Sequence, residues 1–285
     1  MLSREDESLS MNRSAGVRLI RALTRSVLLI AAALVLLATR WILSALCLRR
    51  EGIDRALRRH LLRAWARFFA WVAGIRVQVH GTPPKPPFFL VANHLSYMDM
   101  LVLNLLTGCL FVSRGDVKDW PIIGPIARSL HIVFVDRLKI RDTRRANQEI
   151  AETLRKGDGI AVFPEGRISV GLAVAPFKSS LIEPAVALEV PIHCAALTYE
   201  TLDGMPPAGQ VVSWWRPEPF FYHLFRLLGY PGLKVTVRFA SDSLCGEDRK
   251  DLAFRLHAMV SRMYETPITE PVPAIARQPV TQAER

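Results

Sequence analysis

Three short polar clusters, each following an apolar segment, hold the residues most able to do chemistry. The first is Asn93-His94-Leu95-Ser96-Tyr97-Met98-Asp99, after Phe88–Ala92. The second is Asp136-Arg137, after Ile132–Val135, and the third is Pro164-Glu165-Gly166-Arg167, after Ile160–Phe163. Asp99 lies five residues beyond His94, so a histidine at a strand end can be met by an aspartate one turn into the next helix. A carboxylate that fixes one imidazole nitrogen leaves the other free as a base, and such a base is worth roughly 10²- to 10⁴-fold in rate. Spacing alone favours a plainer alternative, a buried histidine with a structural partner or an N-cap. Arg137 and Arg167 carry guanidinium forks that match phosphate or carboxylate oxygens. Surface salt bridges to the neighbouring Asp136 and Glu165 are the alternative for them.

Nucleophile signatures are absent from the sequence. It has no G-x-S-x-G and no P-loop, and Gly157-x-Gly159 lacks the third glycine of a dinucleotide fingerprint. A His–Asp pair without a nucleophile suits direct transfer, in which the base takes a proton from an acceptor hydroxyl that then attacks an activated acyl group. Cys47, Cys109, Cys194 and Cys245 are far apart with no C-x-x-C spacing, so neither a zinc site nor a disulfide framework is expected. His131, His193 and His223 have no partner spacing and read as structural.

These clusters need a scaffold. Ile75–His80 alternates apolar and polar residues as a half-buried strand does, and Phe88–Ala92 reads as a buried strand. Further strands are expected at Leu110–Ser113, His131–Asp136, Ile160–Phe163, Pro191–Leu197, Val211–Trp214 and Leu233–Phe239. Helices are expected at Leu95–Leu106, Ile122–Arg128, Lys139–Lys156 and Glu247–Tyr264. The alternation predicts an α/β domain over residues 74–265, with a largely parallel sheet flanked by helices. In such sheets ligands bind at the carboxyl ends of the strands, where the three clusters fall. Residues 266–285, with four prolines and no periodicity, read as a disordered tail. For Trp214-Trp215 and the Phe220–Leu228 stretch, core packing is favoured over lining an acyl channel.

Charge divides the chain. Of 285 residues, 37 are Lys or Arg and 26 are Asp or Glu, a net +11, and half are apolar. That balance is too apolar for a disordered chain, too polar for a polytopic transporter and too poor in cysteine for a small disulfide scaffold. Residues 1–76 hold 14 Arg, no Lys and 5 acids, so +9 of the charge lies there. After a tail at 1–15, residues 16–73 read as a membrane-associated two-helix element. Ser26–Leu48 is a 23-residue run with the single charge Arg40, about 35 Å long as a helix. Gly52–Ala73 sets Arg55, Arg59 and Arg63 at four-residue spacing beside Trp and Phe residues, an interfacial pattern. Nucleic acid is not the expected partner, because binding it needs no spanning-length apolar run.

Taken together and in order, the clusters resemble the motifs of the glycerolipid acyltransferase superfamily, to which lysophosphatidic acid acyltransferases belong. Asn93, His94 and Asp99 match Asn-His-x-x-x-x-Asp. Val133-Phe134-Val135-Asp136-Arg137 matches the second motif, Phe163-Pro164-Glu165-Gly166 the third, and Val190-Pro191-Ile192 the fourth. The resemblance spans roughly residues 75–240. It implies transfer of an acyl group from acyl-CoA or acyl carrier protein to a lysophospholipid hydroxyl, with no metal or other cofactor. The expected acceptor is 1-acylglycerol 3-phosphate, giving phosphatidic acid. A lyso-ornithine lipid acceptor and an inactive membrane scaffold are the alternatives. The resemblance also implies roles: His94 as base, Asp99 as its orienter, and Arg137, Glu165, Gly166 and Arg167 on the acceptor head group. It implies a membrane location with the catalytic domain on the cytoplasmic side, at a bacterial inner membrane. Two places depart from the pattern. Arg167 follows Gly166 directly, where Thr or Ser is usual. Arg114-Gly115-Asp116 stands where a Lys-x-Glu segment thought to steady the oxyanion is often found, making Arg114 the matching candidate.

Overall fold

The computed structural model describes residues 4–46, 51–121, 123–136 and 140–266. Arg137, Cys47 and the tail from residue 267 lie outside the described residues. Two helices, α1 (Arg4–Leu46) and α2 (Glu51–Ala73), precede the sheet domain. Its strands are β1 (Ile75–His80), β2 (Phe88–Ala92), β3 (Leu110–Arg114), β4 (Val133–Val135), β5 (Gly159–Val162), β6 (Ile192–Thr201) and β7 (Leu233–Phe239). The other helices are α3 (Met98–Thr107), α4 (Ile123–Ser129), α5 (Ile140–Arg155), α6 (Glu183–Ala187), α7 (Ala208–Val211), α8 (Phe220–Gly229) and α9 (Arg249–Met263).

Among the described residues the strands form one seven-stranded sheet in the order β1-β7-β6-β2-β5-β3-β4. The pairs among β2 to β6 are parallel. β7 runs antiparallel to β6, and β1 runs parallel to β7. The ends of β2, β3, β4 and β5 at Ala92, Arg114, Val135 and Val162 therefore share one edge. That edge is where the three clusters begin.

Alternate residues of the buried strands feed two cores, as a strand with both faces covered requires. Phe88, Leu90, Ala92, Leu197 and Tyr199 face α1, α2, α3 and α8. Phe89, Val91, Cys194 and Ala196 face α5 and α9. The result is a three-layer α/β/α domain, the expected class.

Two local expectations change, and one stretch without an assigned element becomes a helix. Val211–Trp214, expected as a strand, is the end of the short α7 followed by coil. Pro207 caps that helix, where an absent N–H costs nothing. Phe220–Gly229 is a helix, opened by Pro219 in the same way. The helix after β2 starts at Met98 rather than Leu95, because the Asp99 carboxylate holds the Leu95 and Ser96 N–H groups in a loop.

The arginines of the N-terminal pair turn out to have specific partners in the domain. Arg21 donates to the Gly229 carbonyl and Arg25 to those of Leu228, Tyr230 and Pro231, at the end of α8. Arg40 donates to Ser129, the last residue of α4, and Arg63 to Leu106 in the last turn of α3. Arg55 donates to the Lys156 carbonyl just past α5. Helix C-termini carry unpaired carbonyls and partial negative charge, so each contact pairs a cation with the favourable pole. The Arg55/Arg59/Arg63 stripe of α2, expected to meet lipid, faces the domain instead; Arg59 lies 3.6 Å from Asp158.

These ties also fix the course of α1. β1 and β7 start at the edge where β2 to β5 end, so Arg21 and Arg25 hold α1 near the cluster edge. Arg40, through Ser129 ahead of β4, holds it near the opposite edge. Ala22, Leu29, Ala33 and Leu36 point inward, while Val17, Ile20, Val27, Leu34, Val35 and Ile42 remain exposed. By length and composition, α1 holds the one candidate membrane-crossing segment among the described residues, Ala15–Leu43.

Candidate active site

The first cluster is fixed from both sides. Where β2 ends, Asn93 stands in for a ladder residue: its amide nitrogen donates to the Leu197 carbonyl at 3.0 Å, and its amide oxygen accepts from the Leu197 N–H at 2.8 Å. His94 follows. Its ring stacks on Phe163, with centroids 4.1 Å apart and planes at 15°. Its backbone is gripped by the third cluster. The His94 N–H donates to Glu165 Oε1 at 2.6 Å, and its carbonyl accepts from Ser169 N–H at 3.0 Å.

His94 Nδ1 lies 2.8 Å from Asp99 Oδ2. The carboxylate can only accept here, so the ring carries its proton on Nδ1 and its lone pair on Nε2. Nε2 has no hydrogen-bond partner among the described residues. Asp99 is 0% exposed, yet every direction around its carboxylate is answered. Oδ2 also accepts from Leu95 and Ser96 N–H at 2.7 and 2.9 Å, and Oδ1 accepts from the Tyr199 hydroxyl at 2.8 Å. Asp99 further sits in the first turn of α3, at the positive pole of the helix. A buried charge with four donors is the arrangement that makes burial tolerable.

Glu165 is equally committed. It is 3% exposed, and its Oε2 accepts from Ala175 N–H at 2.9 Å. Burial pushes its carboxyl up to about 7, against the pull of the two backbone N–H groups that favour its charged form. Glu165 thus ties the His94 loop to the 163–175 loop. Gly166 supplies the turn between them at φ +81°, a conformation open to glycine at little cost.

The remaining predicted residues are less gathered. Arg167 is exposed and forms no salt bridge among the described residues, although its charge acts on the Glu165 carboxylate. Arg114 ends β3 on the same edge, but its side chain is 70% exposed and is held by Asp116 at 2.9 and 3.1 Å. Arg137 lies outside the described residues. Trp214 and Phe220 pack on Tyr97, with ring centroids 6.0 and 4.8 Å away. His223 is buried with Nδ1 3.0 Å from the Tyr97 hydroxyl. Its pKa is brought down to about 4, chiefly by burial. Among the described residues no cluster of His, Cys, Asp and Glu could hold a metal ion.

Sequence reasoning missed Tyr199 and the stacking face of Phe163. Tyr199 lies beyond the strand end expected at Leu197, and only a polar tip in an otherwise apolar run hinted at a partner.

Residues 76–198 match the family described as Acyltransferase. The chain is 32% identical over 250 residues to the lyso-ornithine lipid O-acyltransferase of Rhizobium meliloti (strain 1021), covering 80% of this chain and 85% of that one. The chain belongs to the acyltransferase family. Within it, similarity also extends to a 1-acyl-sn-glycerol-3-phosphate acyltransferase of Neisseria gonorrhoeae, at 31% identity over 44% of this chain and 50% of that one. The acyltransferase fold itself is seen in the 1-acyl-sn-glycerophosphate (LPA) acyltransferase PlsC of Thermotoga maritima. That structure shares a TM-score of 0.64 and 22% identity, over 87% of this chain and 96% of that chain. This acyltransferase carries its His–Asp pair at the sheet edge where the first and third clusters meet.

Proposed function

We propose that His94 is the general base of an O-acyl transfer from a thioester donor to the free hydroxyl of a lyso-lipid. The observation that carries this is the pairing of Nδ1 with the fully buried Asp99, which leaves Nε2 unpartnered. Nε2 takes the hydroxyl proton as the acceptor oxygen attacks the thioester carbonyl carbon. The C–S bond then breaks, and the departing thiolate takes the proton back from the imidazolium. Asp99 keeps the ring in the working tautomer and balances the imidazolium charge. The donor is acyl-CoA or acyl carrier protein, both of which supply such a thiol leaving group.

Glu165 and Gly166 act on the backbone, holding the His94 loop in register. That differs from the direct head-group contact which the motif implies for them. Arg167, exposed and in no salt bridge among the described residues, is left to meet the acceptor's anionic group, and Arg137 is assigned the same task from the motif alone. Arg114 is the candidate for steadying the tetrahedral oxyanion, and takes that role only when its Asp116 pairing opens.

For the acceptor, lyso-ornithine lipid O-acyltransferases align over the larger share of this chain, 80% for that of Rhizobium meliloti against 44% for the Neisseria gonorrhoeae enzyme. A second, from Brucella abortus (strain 2308), matches at 31% identity over 76% of this chain. Lyso-ornithine lipid is accordingly the first acceptor to test, and its carboxylate suits a guanidinium as well as a phosphate does. The similarity to 1-acyl-sn-glycerol-3-phosphate acyltransferases keeps 1-acylglycerol 3-phosphate as the second. α1, held to the domain through Arg21, Arg25 and Arg40 with an exposed apolar flank, supports a chain that rests in one membrane leaflet beside its lipid substrate. The cytoplasmic face is the side on which the thioester donors occur.

The test is acyl-CoA turnover by membranes containing the protein, with lyso-ornithine lipid and 1-acylglycerol 3-phosphate side by side, against His94→Ala. Turnover lost in the variant supports the base, and equal turnover removes it. The acceptor consumed at the higher kcat/KM is the substrate.

A further inference from the structure

Away from the sheet edge that holds His94, one buried cation is incompletely satisfied beside a cavity. Arg40 is 7% exposed. Its Nε donates to the Ser129 carbonyl at 3.2 Å, and its Nη2 pairs with Asp54 Oδ1 at 2.8 Å. Nη1 is buried with no hydrogen-bond partner among the described residues. Neither neighbour supplies one. Asp54 is shared, because its Oδ2 takes Arg58 Nε at 3.0 Å. The Ser129 hydroxyl donates to the Ile126 carbonyl at 2.8 Å, and its oxygen makes no bond to Nη1. Two guanidinium groups thus share one carboxylate, which leaves a local excess of one positive charge. A buried donor without a partner marks a place where another molecule completes the bonding, and an anion completes the charge as well.

A cavity of about 270 Å³ is lined by Arg40, Trp41, Ala45 and Ser129. It is several times the roughly 30 Å³ share of a single water, so a phosphate group fits. The rest of the wall says where that phosphate comes from. Trp41 is 67% exposed, and the adjoining Ile42 and Leu46 are exposed as well. An oxyanion seated on Arg40 would lie against an apolar flank with aromatic character, the pairing found where lipid head groups meet protein.

We propose that this pocket binds the phosphate of an anionic membrane lipid, with its acyl chains along Trp41, Ile42 and Leu46. Arg40 lies near the opposite sheet edge from His94, so this is a peripheral lipid site and not part of the reaction centre. Its effect is to pin the C-terminal half of α1 to the bilayer surface.

The experiment is native mass spectrometry of the full chain released from detergent micelles, titrated with phosphatidylglycerol or phosphatidylcholine. Wild type is expected to retain one phosphatidylglycerol at concentrations at least tenfold below those needed for phosphatidylcholine. Arg40→Gln, which leaves the Asp54–Arg58 pair intact, is expected to lower that retention about tenfold. Ala45→Trp fills the cavity from an exposed position without touching the Arg40 bonds, and is expected to do the same with an unchanged melting temperature. Equal retention by both variants, or equal binding of the two lipids, overturns the proposal. Complete displacement of phosphatidylglycerol by millimolar inorganic phosphate overturns the lipid assignment in favour of a free oxyanion.

Discussion

The Tyr199 hydroxyl donates to Asp99 Oδ1 at 2.8 Å, across 100 residues of chain. Burial and the Asp99 charge hold the Tyr199 hydroxyl well above the usual tyrosine range, so it stays a donor. Tyr199→Phe leaves that oxygen buried and unpartnered, a loss of roughly 1–3 kcal/mol. A carboxylate with one donor fewer also holds an imidazolium more tightly. The acid limb of the kcat/KM–pH profile is therefore expected to move to higher pH in Tyr199→Phe. A destabilised variant with an unmoved profile would mean that Tyr199 serves packing alone.

His94→Ala and Asp99→Asn separate the base from its orienter. Both are expected to lose about 10²- to 10⁴-fold in turnover. Asp99→Asn should still fold, because its amide oxygen can accept from the Leu95, Ser96 and His94 donors while its nitrogen donates to the Tyr199 oxygen. Thermal unfolding alongside turnover checks this, and near-wild-type turnover by either variant would sink the dyad.

Glu165 gives a pH-dependent prediction with a definite sign. Its carboxyl is raised in the folded state from 4.5 to about 7. The stabilisation linked to its protonated form is fully present below about pH 4.5 and is lost as pH rises to about 7. Relative to Glu165→Gln, which does not titrate, wild type should lose stability steadily over that window and level off above it. Melting curves at half-unit steps from pH 4.5 to 8 measure the difference, and a flat difference would contradict a raised carboxyl.

Arg167 and Arg114 should behave differently. Arg167→Gln is expected to raise KM for the anionic acceptor about tenfold with a smaller change in kcat, as loss of one charge-assisted contact implies. Arg114 is held by Asp116, so Asp116→Asn frees it and should raise kcat if Arg114 steadies the oxyanion. Initial rates across acceptor concentration test both, and an unchanged kcat in Asp116→Asn would remove Arg114 from the chemistry.

Deleting residues 1–73 should not release a soluble domain. Leu29, Leu62, Phe69 and Val72 are buried in the core over one face of the sheet. Their loss uncovers apolar strand residues and strips the arginine contacts from the ends of α3, α4, α5 and α8. Aggregation on size exclusion without detergent is expected; a monodisperse, folded fragment would show that the two helices are an appendage.

The residues and their order were legible from the chain alone. His94, Asp99, Glu165 and Arg167 lie within seven residues of apolar strand segments, and period-two and helical patterns are local properties that short windows carry. From them came the α/β class, the parallel sheet and the edge where the three polar clusters begin. The N-terminal arginines illustrate the limit. Composition assigned them to a membrane surface, since sequence registers a charge but not the carbonyl that answers it. Tertiary structure decided that Arg21, Arg25, Arg40, Arg55 and Arg63 face helix ends. It likewise decided that Glu165 grips backbone and that Tyr199 completes Asp99. Those contacts join positions from 43 to 208 residues apart in the sequence, apart from the Glu165–Ala175 link. Hydrogen bonds reach about 3 Å, so such partners exist only once the sheet has set its strand order.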